Sequence, residues 1–328
     1  MPISRRWAAA RAREKLYASL RATLGAAGYL EVETPCLVPA PGMEPHITAF
    51  EVGFLPETEV GRARTLYLMT SPEYAMKRLL ADGSGPVFQI CKVFRNGEVS
   101  RTHNPEFSML ELYRPEADQD AVMEDLESAL SAADTALDGG GFFTRTPFRR
   151  ATVRDAVLAG AGVDLDLCPD AAALRAAARR AGVEAKEADS YDDVFFRIFL
   201  ERVEPGLGRD RPTYLTEYPA SMASLARLKP GNPRVAERFE LYAQGLELAN
   251  GFSELTDAVE QRRRLLAEQD QRRAAGRPVY PLDEPFLAAV GRMPPSGGVA
   301  AGLDRLLMLL TRAGSIEEVL LFPAHGFL

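Results

Sequence analysis

"FRNGEVSRTHNPEFSMLELY", residues 94–113, sets basic residues, several acids and several aromatics around a polar loop. Its end reads as a strand, as does the preceding "PVFQICKVF", so two strands joined by the loop Asn96–Asn104 are predicted. Side chains alternate faces along a strand, so Phe107, Met109, Glu111 and Tyr113 share one face. A carboxylate on an aromatic and methionine stripe destabilises a core unless it finds a partner. An incoming ammonium group would serve. A face open to water would also explain the pattern, and both readings stand at this point.

On the N-terminal side, residues 4–27 read as an amphipathic helix with Trp7, Leu16, Leu20 and Leu24 among its apolar positions. "GYLEVETPCLVP" reads as a strand broken at Pro35, because proline cannot donate to a central ladder. "RARTLYLMTSPEYAMKRLL" gives a strand, a turn and a helix, with Ser71 as N-cap and Pro72 at the first helical position. On the C-terminal side, residues 118–138 look helical until the glycines 139–141, and residues 152–205 hold three short helical segments. "RPTYLTEYP" is a strand, and residues 257–276 are an exposed charged helix. "PVYPLDEPFLAAVGRMPPSGG" is irregular around a short helix. "GVAAGLDRLLMLLTRAG" is a small-residue strand feeding a helix. The elements lack regular β-α-β alternation, so an α+β fold with an antiparallel sheet flanked by helices is expected. Neither a G-x-x-x-x-G-K-[ST] loop nor a strand-linked G-x-G-x-x-G occurs.

The bulk numbers narrow the partners. The 328 residues are 46% hydrophobic and 26% charged, enough for a sizeable core. A net charge of −7 weighs against a broad nucleic-acid groove. Three cysteines without a C-x-x-C, and three scattered histidines, argue against a disulfide framework or a zinc site and for a cytoplasmic setting. No signal peptide is read at the N-terminus, and no apolar run approaches the length of about 18 residues that a membrane span needs.

Three further stretches carry candidate chemistry. In "RFELYAQGLELANGFSEL" a turn at Ala243-Gln244 would set Glu240 opposite Glu247, and like charges so placed destabilise a hairpin. A divalent cation between them reverses the sign, and an oxygen-only donor set points to magnesium held together with phosphates. A turn centred on Gln244-Gly245 removes that pairing and leaves two unrelated surface acids. Asn250, Phe252 and Glu254 share parity, while Glu247 joins their face only through a bulge. Gly251 between them signals close approach of a ligand or of backbone. Arg305 falls near the start of the last helix, where positive charge opposes the dipole. It either binds an anion or folds back to water.

These segments together resemble the class II aminoacyl-tRNA synthetase core in its lysine-type branch. "GYLEVETPCL", with Pro35, looks like the first class motif, "FRNGEVSRTHNPEFSMLELY" like the second, and "GLDRLLMLL", with Arg305, like the third. "TEYPASMASLAR" and "ELANGFSELTD" are close to lysyl-tRNA synthetase segments. Motif one begins near residue 28, with one helix read before it, so no anticodon-binding barrel is expected. Residues 1–328 are therefore expected to be a single catalytic domain. With "PAPGMEPHITAFEV" and "PPSGGVAAGLDR", this form is similar to the elongation factor P lysine aminoacylase family.

The resemblance implies an ATP-dependent ligase. Such an enzyme activates a lysine-type diamino acid, (R)-β-lysine by preference, and attaches it to a lysine of elongation factor P. It implies Arg95 on the α-phosphate and substrate carboxylate, Phe107 stacked on adenine opposite Arg305, and His103 near the triphosphate. It implies Glu240 and Glu247 as Mg2+ ligands and Glu73 on the backbone-side amino group. Glu111, Tyr113 and Glu254 would recognise the distal ammonium, with Asn250 and Phe252 shaping the pocket. A homodimer is implied by motif one, and no membrane association. Two departures stand out. The class pattern R-x-E reads Arg95-Asn96-Gly97-Glu98, so Glu98 is displaced by one place. Ala300 replaces a glycine at the pocket wall. Two rival activities remain open: ligation to tRNA or a small molecule, and amino-acid sensing without catalysis.

Overall fold

The structure, a computed structural model, describes residues 6–58 and 61–326. Ser4 and Arg5, included in the expected first helix, lie outside the described residues. In chain order the elements begin with α1 (Trp7–Ala26), β1 (Leu30–Glu31), β2 (Leu37–Val38), β3 (Glu51–Phe54), β4 (Arg64–Leu68) and α2 (Glu73–Ala81). The hairpin β5 (Val87–Phe94) and β6 (Glu106–Pro115) follows, then α3 (Gln119–Leu137), β7 (Arg149–Thr152), α4 (Val153–Ala161), α5 (Ala171–Arg180) and α6 (Tyr191–Ile198). The last part holds β8 (Thr213–Pro219), β9 (Leu228–Lys229), β10 (Asn232–Ala243), β11 (Leu246–Ser253), α7 (Ala258–Ala274), α8 (Glu284–Val290), β12 (Ser296–Gly302) and α9 (Leu303–Thr311).

One large sheet runs β1-β5-β6-β12-β11-β10-β8-β7, with β9 paired to β10. A small sheet, β2-β4-β3, lies beside it. The fold is α+β and the interior of the large sheet is antiparallel, as expected. The outermost pairs, β1 with β5 and β7 with β8, are parallel. Parallel neighbours need long crossovers, and here each crossover carries helices: α2 for the first, and α4 to α6 for the second.

One face of the sheet is the core. Phe88, Leu110, Leu112, Phe239, Leu241 and Val299 pack there against the leucine stripes of α1 and α9 and against α3. Leu16, Leu20 and Leu24 recur at helical spacing, so α1 buries a single stripe. Asp118 caps α3 by accepting from the amides of Asp120 and Ala121. Gly251 is required on this core side, because a Cβ there would lie 2.4 Å from the Phe239 ring and 2.7 Å from the Gly298 carbonyl. The close approach that the sequence signalled is thus to the protein's own groups.

Three local expectations change. "GYLEVETPCLVP" forms two separate strands of two residues each, on either side of Pro35. α2 starts at Glu73 with Pro72 in the cap position, although the Ser71 hydroxyl still accepts from the Glu73 amide. α7 is not merely an exposed charged helix: Gln261, Leu265, Gln269 and Arg272 form a buried stripe. Arg272 is 0% exposed and donates to the carbonyls of Glu44, Ile47 and Pro278. Among the described residues no helix is long and apolar enough to cross a membrane.

Candidate active site

The face opposite the core carries polar side chains in two rows across four strands. Register places Glu111 beside Ala300, Ala300 beside Asn250, and Asn250 beside Glu240. The next row reads Tyr113, Gly298, Phe252 and Arg238. Both rows floor a cavity of about 500 Å³, a size suited to small-molecule ligands. Glu73, Arg95, Glu98, His103, Phe107, Glu247 and Arg305 also line it. Of the substrate-, nucleotide- and metal-binding side chains expected from the sequence, all but Glu254 line this cavity.

The turn of the β10–β11 hairpin is Gln244-Gly245, with Ala243 opposite Leu246. Both turn residues have positive φ, 55° and 76°, the backbone of a two-residue hairpin loop that matches strand twist. Glu247 therefore faces Tyr242, and the direct Glu240–Glu247 opposition expected from an Ala243-Gln244 turn is corrected. A register shift follows, and Leu241 pairs with Ala249. This bulge brings Glu247 onto the cavity face with Asn250 and Phe252. Burial and the neighbouring Glu240 push the Glu247 carboxyl up to about 7.

At one end of the cavity the charge is negative. Glu111 is 0% exposed, and its carboxylate accepts from the Ser71 hydroxyl at 2.6 Å and the Tyr113 hydroxyl at 2.8 Å. The open-water reading of this face does not hold. Burial, then the nearby Glu73, raises Glu111 to about 8. Lys77 Nζ lies 2.5 Å from Glu73 and 2.5 Å from Glu254. Burial opposes the charge on Lys77, but Glu254 and Glu73 more than offset that and hold its pKa above the ordinary value. Gly298 leaves room for this arrangement: a Cβ there would meet Glu254 Oε1 at 2.3 Å and the Tyr113 ring at 2.4 Å. Glu44 and Glu268 line the same region. Burial, then Glu73, raises Glu44, and burial, then Glu44, takes Glu268 to about 8.

The other end is basic. The Arg95 guanidinium lies 5.1 Å from the centre of the Phe107 ring, and its buried Nε has no hydrogen-bond partner. Glu98 sits 3.8 Å from Arg95, so the displaced acid still reaches the arginine side chain. Arg305 neither hangs in water nor lacks support. It donates to the carbonyls of Glu247 at 2.8 Å and Thr102 at 3.3 Å, and Nη2 is 2.5 Å from His103 Nε2. An arginine cannot accept, so Nε2 accepts and Nδ1, 2.7 Å from Ser100 Oγ, carries the proton. Burial and Arg305 lower the His103 pKa, consistent with that neutral ring.

Sequence reasoning passed over Lys77 and Arg238. Arg238 donates to Glu240 at 2.6 Å, to Asn250 at 3.1 Å and to the Met222 carbonyl at 2.8 Å, and packs 4.6 Å from the Tyr218 ring centre. It locks the end of the first row. Its position two residues before Glu240, on the same strand face, was the available signal.

The comparisons agree with this geometry. The family model for class II tRNA synthetases (D, K and N) matches residues 4–326. The chain is 41% identical over 302 residues to the elongation factor P–(R)-β-lysine ligase of Hamiltonella defensa, covering 91% of this chain and 89% of the relative. It is 42% identical over 314 residues to proteins of the same name from Edwardsiella ictaluri and Klebsiella pneumoniae, covering 94% of this chain and 93% of each relative. With the sheet, the three motifs and the match along nearly its whole length in agreement, the chain belongs to the class II tRNA synthetases of the D, K and N type, in one family with these ligases.

Proposed function

We propose that this chain activates (R)-β-lysine, or lysine, with ATP and transfers it to a lysine side chain of elongation factor P. The observation that carries the reading is the row Glu111–Ala300–Asn250–Glu240, which joins an acidic end to an arginine-lined end across one cavity. A diamino acid fits this polarity, with its ammonium groups at the acids and its carboxylate toward Arg95. Glu73 takes the backbone-side amino group, and Glu111 and Tyr113 take the distal one. Glu254 supports that end from behind the wall, and Asn250, Phe252 and Ala300 shape the space. The names of relatives that match over nine-tenths of the chain favour this activity over tRNA ligation or sensing.

In the first step the substrate carboxylate attacks the α-phosphorus of ATP, a C–O–P linkage forms, and pyrophosphate leaves. Arg95 and Arg305 stabilise the charge on the phosphates, and a neutral His103 lies beside them as a hydrogen-bonding group. Phe107 offers its ring to adenine, and Glu98 steadies Arg95. In the second step the acceptor amine attacks the acyl carbon, the C–O bond to phosphate breaks, AMP leaves and the ammonium proton passes to solvent.

Glu240 and Glu247 suit Mg2+ as an all-oxygen donor pair, and burial, then the neighbouring Glu240, raises the Glu247 carboxyl, a cost that a bound cation would offset. Magnesium, when bound with the nucleotide, supplies charge neutralisation at the phosphates. Among the described residues no third His, Cys, Asp or Glu joins them, so phosphate oxygens and water would have to supply the remaining ligands. We place the enzyme in the cytoplasm as a homodimer. Trp7 and Leu30 are 55% and 60% exposed near motif one, which suits a covered face.

ATP–pyrophosphate exchange tests the reading. Exchange that requires a diamino acid, is not supported by norleucine and is lost in Arg95→Ala supports it. Equal exchange with norleucine contradicts it.

A further inference from the structure

We propose that Lys77 is a positioning residue of the diamino-acid end, a resident ammonium that fixes how many negative charges Glu73 and Glu254 present to the substrate. The inference rests on the activity proposed above and deepens it. Lys77 follows Glu73 by one helical turn on α2, which in isolation reads as an ordinary i,i+4 pair on a helix surface. Here the side chain is 1% exposed and reaches past its own helix to Glu254 at the end of β11. Its Nζ also lies 5.9 Å from the Phe252 ring centre, so carboxylates and an aromatic enclose it.

The charge count follows. Glu73, Glu111 and Glu254 are three carboxylates at one end of the cavity. Glu111 spends its oxygens on hydroxyl groups, not on a cation. Lys77 offsets one negative charge; burial raises both Glu111 and Glu254 to about 8, so the end reaches its full count of two as pH rises through that value. A diamino acid brings two ammonium groups, and its carboxylate goes to the arginine end. The other groups facing these acids leave the count unchanged. Tyr74 on α2 and Tyr113 on β6 are held far above their ordinary pKa by burial. Glu44, in the loop after β2, and Glu268, on α7, are both raised, burial being the larger cause in each, so both resist adding charge to this end.

Without Lys77, two buried carboxylates would face each other, and like charges so placed cannot both stay ionised. One would take a proton, and one substrate ammonium would lose its counter-charge. Glu254 would then need a higher pH to ionise.

The test is diamino-acid-dependent pyrophosphate exchange by the full chain from about pH 6.5 to about pH 9.5. In Lys77→Met the KM for lysine rises at least about tenfold at neutral pH, the KM for ATP stays within about twofold, and the pH profile of 1/KM moves up by about one unit or more. Lys77→Met/Glu254→Gln removes one charge of each sign, restores the count and remains informative if the single variant does not fold. Its KM for lysine returns to within about threefold of the parent at neutral pH, and the upward shift of the pH profile is gone. A single variant whose profile stays in place, or a folded double variant with a KM still raised tenfold or more, overturns the proposal. Absence of diamino-acid-dependent exchange in the parent itself overturns the activity, and this role with it.

Discussion

Glu111 has no exposed surface, and both of its carboxylate oxygens accept from hydroxyl groups. Its pKa, raised from 4.5 to about 8 by burial and by Glu73, means that the folded protein holds this proton more tightly than the unfolded chain does. The sign is fixed by that difference. Its contribution is most favourable below the unfolded value and is lost as pH rises through about 8. Glu111→Gln removes the titration, so its stability relative to the parent rises by on the order of a few kcal/mol between those limits. Urea unfolding at a series of pH values reads this directly, and parallel curves for the two proteins would refute it. Alternation along one strand was enough to place Glu111 with Phe107 and Tyr113. Lys77 was not legible in the same way, because its second partner, Glu254, lies far along the chain. Arg238 was missed because its importance lies in three acceptors that only the folded sheet assembles.

At the scale of elements, the β10–β11 hairpin was readable as a hairpin but not in register. One residue of difference in the turn centre changes every cross-strand pair. The bulge that returns Glu247 to the cavity has no local signal beyond the phase mismatch it repairs. "PPSGG" read only as the end of an irregular stretch, yet its serine and glycines open β12, and Gly298 there is where a close approach matters for ligands. In Gly298→Ala the new methyl collides with Glu254 and Tyr113, and a displacement near 1 Å in a positioning wall can cost about a hundredfold in rate. The expected outcome is a loss of that order in kcat/KM for lysine, with the KM for ATP little changed. An unaltered kcat/KM would show that this wall does not position substrate. α7 carries a different lesson: a run of charges hid a buried arginine. Arg272→Met strips three carbonyls of their donor and removes the stacking on Tyr280 at 4.3 Å. At roughly 1–3 kcal/mol for each buried polar group left unpaired, a loss of at least about 3 kcal/mol is expected in thermal or urea unfolding. A loss below about 1 kcal/mol would mean that the loop at Glu44–Ile47 finds other donors.

For the whole molecule, the division of labour between the two sheet faces decides where chemistry can sit. Apolar residues of one parity fasten the sheet to α1, α3 and α9, and residues of the other parity are left to line a cavity. That division was legible because period-two alternation survives in β6, β11 and β12. The parallel outer pairs were not, since they depend on where the helical crossovers return the chain. The central claim is that this one cavity activates a diamino acid and delivers it to a protein amine. Intact-mass spectrometry of elongation factor P, after incubation with the enzyme, ATP and each lysine isomer in turn, tests it most directly. The account predicts an acceptor heavier by one lysyl group, with (R)-β-lysine the better donor and one AMP released for each group attached. Unchanged elongation factor P with every isomer, while the same preparation charges tRNA, would contradict it.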